Sequence, residues 1–197
     1  MNFSVEENYV LENKFARLEP LQSSHYESLL SYAVNEPDIW SFNTDSPDSP
    51  ENLKKYIDKA LAQKEKQLEY PFVVFDKIKN KIAGSTRFYN LSLDTKTLEI
   101  GYTWYGKEFQ GTYLNKNCKY LLLEFAFEKM EIERVGFRAN YLNKRSINAM
   151  KSIGCIEEGT LRSFRNDALG NRTDAIVLSI LRNEWFGTVK QNLKNRI

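Results

Sequence analysis

The stretch FQGTYLNKNCKY, residues 109–120, has residue types and an order that could bind a phosphate group. Its polar first half, with one glycine at Gly111, leads into an apolar run that begins at Leu114. Backbone N–H groups at the start of a helix have no partners within the helix and attract anions. Phosphate loops ordinarily contain more than one glycine. From the residues alone, the stretch is therefore either an altered phosphate loop or only the polar start of a helix.

A second stretch, NKRSINAMKSIG, places Asn143 and Ser146 three residues apart, ahead of apolar residues at helical spacing. An asparagine at this position caps a helix, and a serine is stable in the first turn that follows. Hydroxyl and amide groups at a helix start can also hold a ligand. Taken by themselves, these residues favour the structural role over a catalytic one.

The single histidine, His25, excludes most catalytic and metal sites that depend on histidine. It follows a helix-start signal and is expected at the surface. The two cysteines, Cys118 and Cys155, lie in apolar neighbourhoods and are expected to be free thiols in a reducing compartment, with a disulfide as the less favoured alternative. The sequence therefore predicts no metal site.

Length, charge and composition predict the class of protein. The 197 residues, 42% of them hydrophobic, can bury a sizeable core and are expected to form one domain over residues 1–197. The net charge of +2 gives no strong field for nucleic acid or an anionic membrane surface. The first ten residues lack a secretory signal, and no segment approaches the roughly 20 apolar residues of a membrane span. We therefore expect a cytoplasmic protein that binds neither nucleic acid nor membrane.

The elements that would position these groups can be predicted from periodicity and capping signals. A first strand is followed by a helix whose start is predicted at a capping box of Ser24 and Glu27. A second helix begins with the N-cap Ser49 and with Pro50. Three strands then form an antiparallel meander, and a long helix starts at Leu114. A strand, a further helix, a strand hairpin and a short C-terminal helix complete the predicted order.

This order, together with five sequence motifs, resembles the GCN5-related N-acetyltransferase superfamily, and within it the group like the ribosomal-protein alanine acetyltransferases. The motifs are EIGYTW, FQGTYLNKNCKYLLLEFAF, NKRSINAMKSIGC, EEGTLR and ILRNEW. Each motif is a weak signal, whereas their order and spacing are specific. The resemblance covers about residues 15–185 and implies an α/β fold with a mixed, mostly antiparallel, splayed central sheet flanked by helices. It also implies acetyl transfer from acetyl-CoA to an amine without a metal.

The resemblance implies that the pyrophosphate of coenzyme A binds at residues 110–115. Gln110 fits the family pattern, but Tyr113 and Asn115 stand where the family has small residues, and Gly111 provides flexibility earlier in the turn. An outward Tyr113 would pack along the adenosine, whereas an inward one would block the pyrophosphate. The resemblance favours an altered phosphate loop. The expected cofactor-binding residues are Thr103, Trp104, Gln110, Gly111, Thr112, Tyr113, Leu114, Asn115, Asn143 and Ser146.

The resemblance also implies catalytic roles. Glu99 lies on the strand where many members place a carboxylate that accepts the amine proton, although an ordinary solvent-facing residue explains it equally well. That strand should splay from the next and leave N–H groups for the pantetheine arm or the thioester oxygen. Strand alternation puts Gly101 and Thr103 on the face of Glu99. Asn143 and Ser146 match an Asn-x-x-Ser pattern in which Asn contacts the cofactor arm and Ser is a candidate proton donor to the sulfur.

The acceptor site is expected, by analogy with the family, between the loop at residues 35–50 and the hairpin turn at residues 167–171. Trp40, Phe42 and Glu99 would line it. A set of acidic side chains in the loop could attract a cationic amine, although a solvated loop explains them equally well; these are Asp38, Asp45 and Asp48.

We therefore interpret the chain as an acetyltransferase that acts on a protein N-terminus, a polyamine or another small amine. A non-catalytic module that binds acyl-CoA on the same fold is the main alternative. A nucleotide enzyme of another fold has little support, because neither GxGxxG after a strand nor GxxxxGK[ST] is present. By resemblance, a homodimer through the C-terminal strands is also consistent with the sequence.

Overall fold

A computed structural model describes residues 3–42, 46–167 and 170–197, which contain one eight-stranded sheet flanked by helices. The strands are β1 Leu11–Glu12, β2 Ala16–Pro20, β3 Tyr70–Asp76, β4 Lys81–Ser92, β5 Thr97–Tyr105, β6 Arg134–Asn140, β7 Ile156–Asn166 and β8 Arg172–Leu181. The α-helices are α1 Tyr26–Asn35, α2 Pro50–Glu65, α3 Leu114–Glu124, α4 Lys144–Ser152, α5 Arg182–Glu184 and α6 Lys190–Lys194. Shorter helical turns are the 3₁₀ segments Ser23–His25, Pro37–Trp40 and Lys107–Phe109 and the π segments Phe125–Lys129 and Trp185–Val189.

The strand order across the sheet is β1-β2-β3-β4-β5-β6-β8-β7. Neighbouring strands are antiparallel throughout except for β5 and β6, which are parallel. Helix α3 lies between these two strands in the chain, as a parallel connection requires. The predicted α/β fold with a mixed, mostly antiparallel sheet is confirmed, as are the central meander and the C-terminal hairpin.

Helix α2 begins where its sequence predicts. The Ser49 hydroxyl accepts a hydrogen bond from the Asn52 amide at 3.1 Å, and Pro50 occupies the first helical turn. The buried face of the helix includes Leu53 and Tyr56. The cap satisfies one of the free N–H groups of the first turn, and the apolar stripe holds the helix on the sheet.

The start of α1 differs from the prediction. Ser24 and Glu27 do not form a capping box, because the chain turns earlier, in a 3₁₀ segment that contains Ser24. The reciprocal pair there is Gln22 and His25, and the Gln22 amide donates to His25 Nδ1 at 3.0 Å. His25 is half-buried and forms an ion pair with Glu19 across 3.5 Å when it is protonated. The histidine therefore has a structural role at the helix start.

The two faces of the sheet are covered by different helices, as the last residues of β5 show. Trp104 Nε1 donates to the hydroxyl of Tyr56 on α2 at 3.3 Å. The next residue, Tyr105, donates its hydroxyl to Asn115 Oδ1 on α3 at 3.3 Å. Since successive strand residues point to opposite faces, α2 covers one face and α3 the other. Within the described ranges, no helix is long and apolar enough to cross a membrane.

Strand β5 contains one extra residue at Tyr102. Ser85 of β4 pairs with Trp104 and Arg87 pairs with Gly101, so that two steps along β4 match three along β5. Tyr102 has φ of +50°, a left-handed conformation that residues other than glycine seldom adopt. The Arg87 guanidinium lies over its ring, 4.1 Å from the ring centre. These features define a β-bulge in the strand that borders the predicted cofactor site.

Candidate active site

Strands β5 and β6 separate beyond Glu99. Their pairing joins residues 97–99 to residues 134–136 and then ends. Residues 100–105 keep only β4 as a neighbour, and residues 137–140 keep only β8. Within the described part of the chain, the two facing edges therefore have no strand partner and leave backbone hydrogen-bonding groups along a gap. The predicted splay of the sheet is confirmed.

The prediction that Thr103 shares a face with Glu99 is wrong. Its hydroxyl lies 2.7 Å from Nζ of Lys119 on α3, whereas Glu99 lies on the opposite face among side chains of β4 and β6. Gly101 does share the face of Glu99. The extra residue at Tyr102 shifts the alternation by one position, and every residue beyond it is reversed. The period-2 rule could not anticipate this bulge.

At the open end of the gap, the loop before α3 is held from two sides. Gln110 Nε2 donates to the Tyr105 carbonyl at 2.7 Å, and its Oε1 accepts from Arg145 Nη1 of α4 at 2.5 Å. Gly111 has φ of +76°, which glycine adopts without strain. A Cβ added there would meet nothing nearer than Arg145 Nη2 at 4.0 Å. A guanidinium group and an open backbone therefore face each other across this loop.

The backbone amides of this loop are free to bind a ligand. The N–H groups of Gly111, Thr112, Tyr113 and Asn115 form no hydrogen bond with another described residue. The Leu114 amide contacts the Thr112 hydroxyl at 3.3 Å, and its side chain is fully buried, so only its backbone could face a ligand. Free amides at a helix start beside a guanidinium suit a diphosphate group. The loop therefore fits the pyrophosphate that the sequence resemblance implies.

The side chain of Tyr113 points away from Arg145. Its hydroxyl donates to both carboxylate oxygens of Asp76 at 2.8 Å, and its ring lies 5.5 Å from that of Phe15, centre to centre. Burial and the neighbouring carboxylate raise the pKa of Tyr113 to about 12, so the hydroxyl keeps its proton. Asn115 also turns toward the sheet, where it accepts from β5. Of the two orientations weighed from the sequence, the structure has the one that leaves the loop open.

Glu99 is held by four hydrogen bonds. Arg138 donates to both carboxylate oxygens, from Nε at 2.7 Å and from Nη2 at 2.5 Å. The hydroxyl of Tyr89 donates at 2.6 Å and the side-chain amide of Asn90 at 3.0 Å. The Glu99 side chain is 20% exposed. It is therefore a half-buried, paired carboxylate and not an ordinary solvent-facing residue.

The surroundings of Glu99 fix its charge. Burial acts to raise the pKa of the carboxyl, but the hydrogen bonds from Arg138, Tyr89 and Asn90 outweigh it and hold the pKa below its usual value. The carboxylate is thus ionised at neutral pH. A general base works best when its pKa lies near the working pH, so the pairing weakens Glu99 as a proton acceptor. A cavity of about 200 Å³ borders Glu99 on the same side of the sheet, together with Gly136 and Val177.

The start of α4 combines a structural and a free polar group. Asn143 Oδ1 accepts the Ser146 amide at 3.0 Å, so Asn143 is the N-cap of the helix. The Ser146 hydroxyl is half-buried and has no hydrogen-bond partner within residues 3–42, 46–167 and 170–197. The capping role expected from the residues alone is confirmed for Asn143. It leaves the amide nitrogen of Asn143 and the hydroxyl of Ser146 available to a ligand.

Residues predicted to line the acceptor site occupy different environments. Trp40 is fully buried with its ring centre 5.1 Å from that of Trp104, so neither indole has surface with which to line a pocket. Trp104 can therefore contact a ligand only through its backbone. Phe42 is 40% exposed, and its carbonyl accepts from Arg165 Nη2 at 3.2 Å. That contact brings the loop to strand β7, as the sequence resemblance implied.

The acidic residues of the loop that the structure describes have partners of their own. Asp38 forms an ion pair with Lys107 at 2.7 Å. Asp48 accepts from the side chain of Asn52 at 2.8 Å. Asp45 lies outside the described residues. The solvated-loop interpretation therefore explains Asp38 and Asp48 better than attraction of an amine does.

Sequence reasoning missed two cationic residues at this site. Arg145 lies inside the motif that supplied Asn143 and Ser146, and its position in the first turn of α4 was a usable signal. Lys119 lies within the apolar run of α3, where a charged residue among buried neighbours is unusual. The pairing of Arg138 with Glu99 had no local signal, because the two residues lie on different strands.

Comparison with known proteins identifies the class. The family profile for the acetyltransferase (GNAT) domain matches residues 16–156. The chain therefore belongs to the GNAT acetyltransferase family and is an N-acetyltransferase. Members of this family use acetyl-CoA and act on amines.

Particular relatives narrow the comparison. A Bacillus subtilis (strain 168) protein named "Putative ribosomal N-acetyltransferase YdaF" is 27% identical over 175 residues, which cover 86% of this chain and 91% of that one. A crystal structure of an acetyltransferase from T. thermophilus, named as putative, is 31% identical with a TM-score of 0.84, covering 95% and 96% of the two chains. The ribosomal-protein-S5-alanine acetyltransferase of Vibrio fischeri, 19% identical, shares the fold with a TM-score of 0.73, covering 90% and 98%.

Proposed function

We propose that this N-acetyltransferase uses acetyl-CoA and transfers its acetyl group to an α-amino group, either of a protein N-terminus or of a small molecule, by direct attack. The observation that carries the proposal is the gap between β5 and β6, which ends at the free amides before α3. A linear cofactor with an anionic end fits such a gap, because the edges bind its arm and the helix start binds its phosphates.

Arg145 and the loop amides are the residues we propose for the pyrophosphate. The Arg145 guanidinium is already placed by Gln110 and lies near Gly111, where no side chain intervenes. Asn143 would contact the cofactor arm through its free amide nitrogen. Ser146, in the first turn of the same helix, would donate a hydrogen bond to the leaving sulfur. When bound, acetyl-CoA supplies the activated acetyl thioester, and these residues orient it.

The ionisation of Glu99 indicates which amines suit the site. A lysine amine, with a pKa near 10.4, is less than about a thousandth neutral at pH 7, whereas about a tenth of an α-amino group is neutral. A carboxylate whose pKa is lowered accepts protons poorly, so it can help an amine that needs little deprotonation. We propose that Glu99 attracts the cationic acceptor and takes its proton, directly or through water, and that an α-amine is therefore the preferred acceptor.

The first test is calorimetric titration of the protein with acetyl-CoA. We expect micromolar affinity, and we expect Arg145→Ala to weaken it about tenfold, since a hydrogen bond to a charged group contributes roughly 1.5–3 kcal/mol. Lys144→Ala is the matched control, because it removes the same charge from the adjacent exposed position of α4. Equal losses in the two variants would refute a specific role for Arg145. A wild-type protein that does not bind acetyl-CoA would refute the proposed function.

The second test compares three acceptors at equal concentration. They are a lysine-free peptide with a free N-terminus, a peptide with a blocked N-terminus and one internal lysine, and a polyamine. We expect mass spectrometry to show acetylation of the first, and Glu99→Gln to reduce its rate at least tenfold. Acetylation of only the lysine peptide or the polyamine would overturn the acceptor class. Binding of acetyl-CoA without acetylation of any amine would favour the non-catalytic alternative.

A further inference from the structure

Lys119 is a buried amine beside the proposed thioester site. It lies on α3, its side chain is 5% exposed, and its Nζ donates to the Thr103 hydroxyl at 2.7 Å. Thr103 belongs to the stretch of β5 that has no pairing with β6. On the other side of Lys119, the thiol of Cys155, which follows α4, is near enough to influence its charge. The ammonium group therefore lies between the two diverging halves of the sheet.

No carboxylate neutralises this amine within the described residues. The titratable groups that act on it are the thiols of Cys118 and Cys155, and burial raises the pKa of both. The pKa of Cys118 is raised to about 12, so the thiol is uncharged at neutral pH. Burial in turn lowers the pKa of Lys119 to about 8. At pH 7 most of the population still carries an unpaired buried positive charge.

An unpaired charge in this position requires an explanation, because burial of an ion without a partner is costly. Sites that stabilise a developing negative charge have this property: the oriented cation is in place before the reaction and does not have to reorganise. The negative charge that develops when a thioester is cleaved by an amine is on sulfur. A buried cation on the wall of the gap is suited to receive it.

We propose that Lys119 stabilises the thiolate of coenzyme A as it leaves and then gives it a proton; this inference depends on the proposed function. The acceptor nitrogen forms a bond to the acetyl carbon, and the carbon–sulfur bond breaks with its electron pair on sulfur. The acceptor nitrogen loses one proton, toward Glu99 or water. Sulfur gains one from Lys119 Nζ, which takes a proton back from solvent when the site opens. The hydrogen bond from Ser146 would act on the same sulfur without supplying charge.

The test needs no acceptor, because coenzyme A itself carries the thiol. The pKa of the bound thiol is measured from the ultraviolet absorbance of the thiolate during a pH titration of the complex. We expect it to fall at least one pH unit below the ordinary value of about 8.5 in the wild type and to return to that value or above in Lys119→Met. Lys129→Met, an exposed lysine beyond the end of α3, should behave as the wild type.

A second measurement protects against a variant that is merely misfolded. At pH 8.5, wild-type protein should bind coenzyme A at least tenfold more tightly than desulfo-coenzyme A, and Lys119→Met should lose that preference while it still binds the desulfo compound. Equal thiol pKa values in the wild type and in Lys119→Met would overturn the proposal and leave the proposed function intact. Failure of the wild type to bind either compound would instead refute the proposed function, and this inference with it.

Discussion

Replacement of Lys119 by methionine should make the protein more stable at neutral pH. Burial lowers the pKa of this lysine from 10.5 to about 8. At about 1.36 kcal/mol for each tenfold change in proton affinity, folding with a charged Lys119 costs about 3 kcal/mol. Methionine has a similar length and no charge, and Thr103 keeps its contact with the Thr86 hydroxyl at 2.7 Å. We therefore expect Lys119→Met to raise the free energy of unfolding at pH 7 by about 3 kcal/mol.

The pH dependence gives this prediction its sign. Below pH 8, Lys119 is protonated in both the folded and the unfolded protein, so the full cost is present. Between pH 8 and about pH 10.5, the unfolded chain binds the proton more strongly, and the wild type gains stability as the pH rises. The advantage of Lys119→Met should therefore be largest at pH 7 and should shrink steadily toward pH 10.

Urea denaturation followed by tryptophan fluorescence at pH 7 and at pH 9.5 measures this difference. Titrations of other groups cancel, because the wild type and the variant share them. Lys129→Met should stay within about 0.5 kcal/mol of the wild type at both pH values, as is usual for exposed positions. A Lys119→Met protein that is less stable than the wild type at pH 7, or whose advantage does not change with pH, would refute the assignment of an uncompensated buried charge.

Two further predictions concern the loop before α3. Tyr113→Phe removes the hydrogen bond to the buried Asp76 and should lower the free energy of unfolding by about 1 kcal/mol, while calorimetry shows an unchanged dissociation constant for acetyl-CoA; a tenfold loss of affinity would mean that the ring faces the ligand. Gly111→Ala should cost about 1 kcal/mol in urea denaturation, since the Cβ has room but the φ of +76° is unfavourable for alanine, and it should weaken acetyl-CoA binding. A fully stable Gly111→Ala protein would show that the loop does not need this conformation.

If these predictions hold, Lys119 illustrates a compromise between stability and function. The charge that we propose to stabilise a thiolate also destabilises the folded protein in the absence of ligand. Such opposition is common where a site is prepared in advance for the charge of a reaction. The two experiments on Lys119→Met measure both sides of it: greater stability of the fold, and loss of the thiol pKa shift.

Local signals predicted much of the fold because they depend on neighbours in sequence. Ser49 with Pro50 and Asn143 each start a helix as expected, since a cap needs only residues of the first turn. The box at Ser24 was wrong because a competing pair, with Gln22 as its N-cap, ends the chain reversal one turn earlier. Several residues can satisfy the same helix start, and packing decides among them.

The site was less predictable because its chemistry depends on distant contacts. The position of Glu99 followed from the motif, but its ionisation depends on Arg138 and Tyr89, which lie on two other strands. The orientation of Tyr113 depends on Asp76 at the end of β3. Neither contact leaves a spacing in the sequence. Periodicity also failed at Tyr102, where a single inserted residue alters the direction of those that follow.

The bulge at Tyr102 allows one continuous strand to serve two compartments. Before it, Glu99 and Gly101 belong to the side on which we expect the amine to arrive; after it, Thr103 faces the helix that would carry the phosphates. Deletion of Tyr102 would restore simple alternation and exchange the directions of Trp104 and Tyr105, so that the indole would meet α3 and the phenol would meet α2. The length of this strand, and not only its composition, is therefore constrained, and a shift of one residue here would be more damaging than most substitutions.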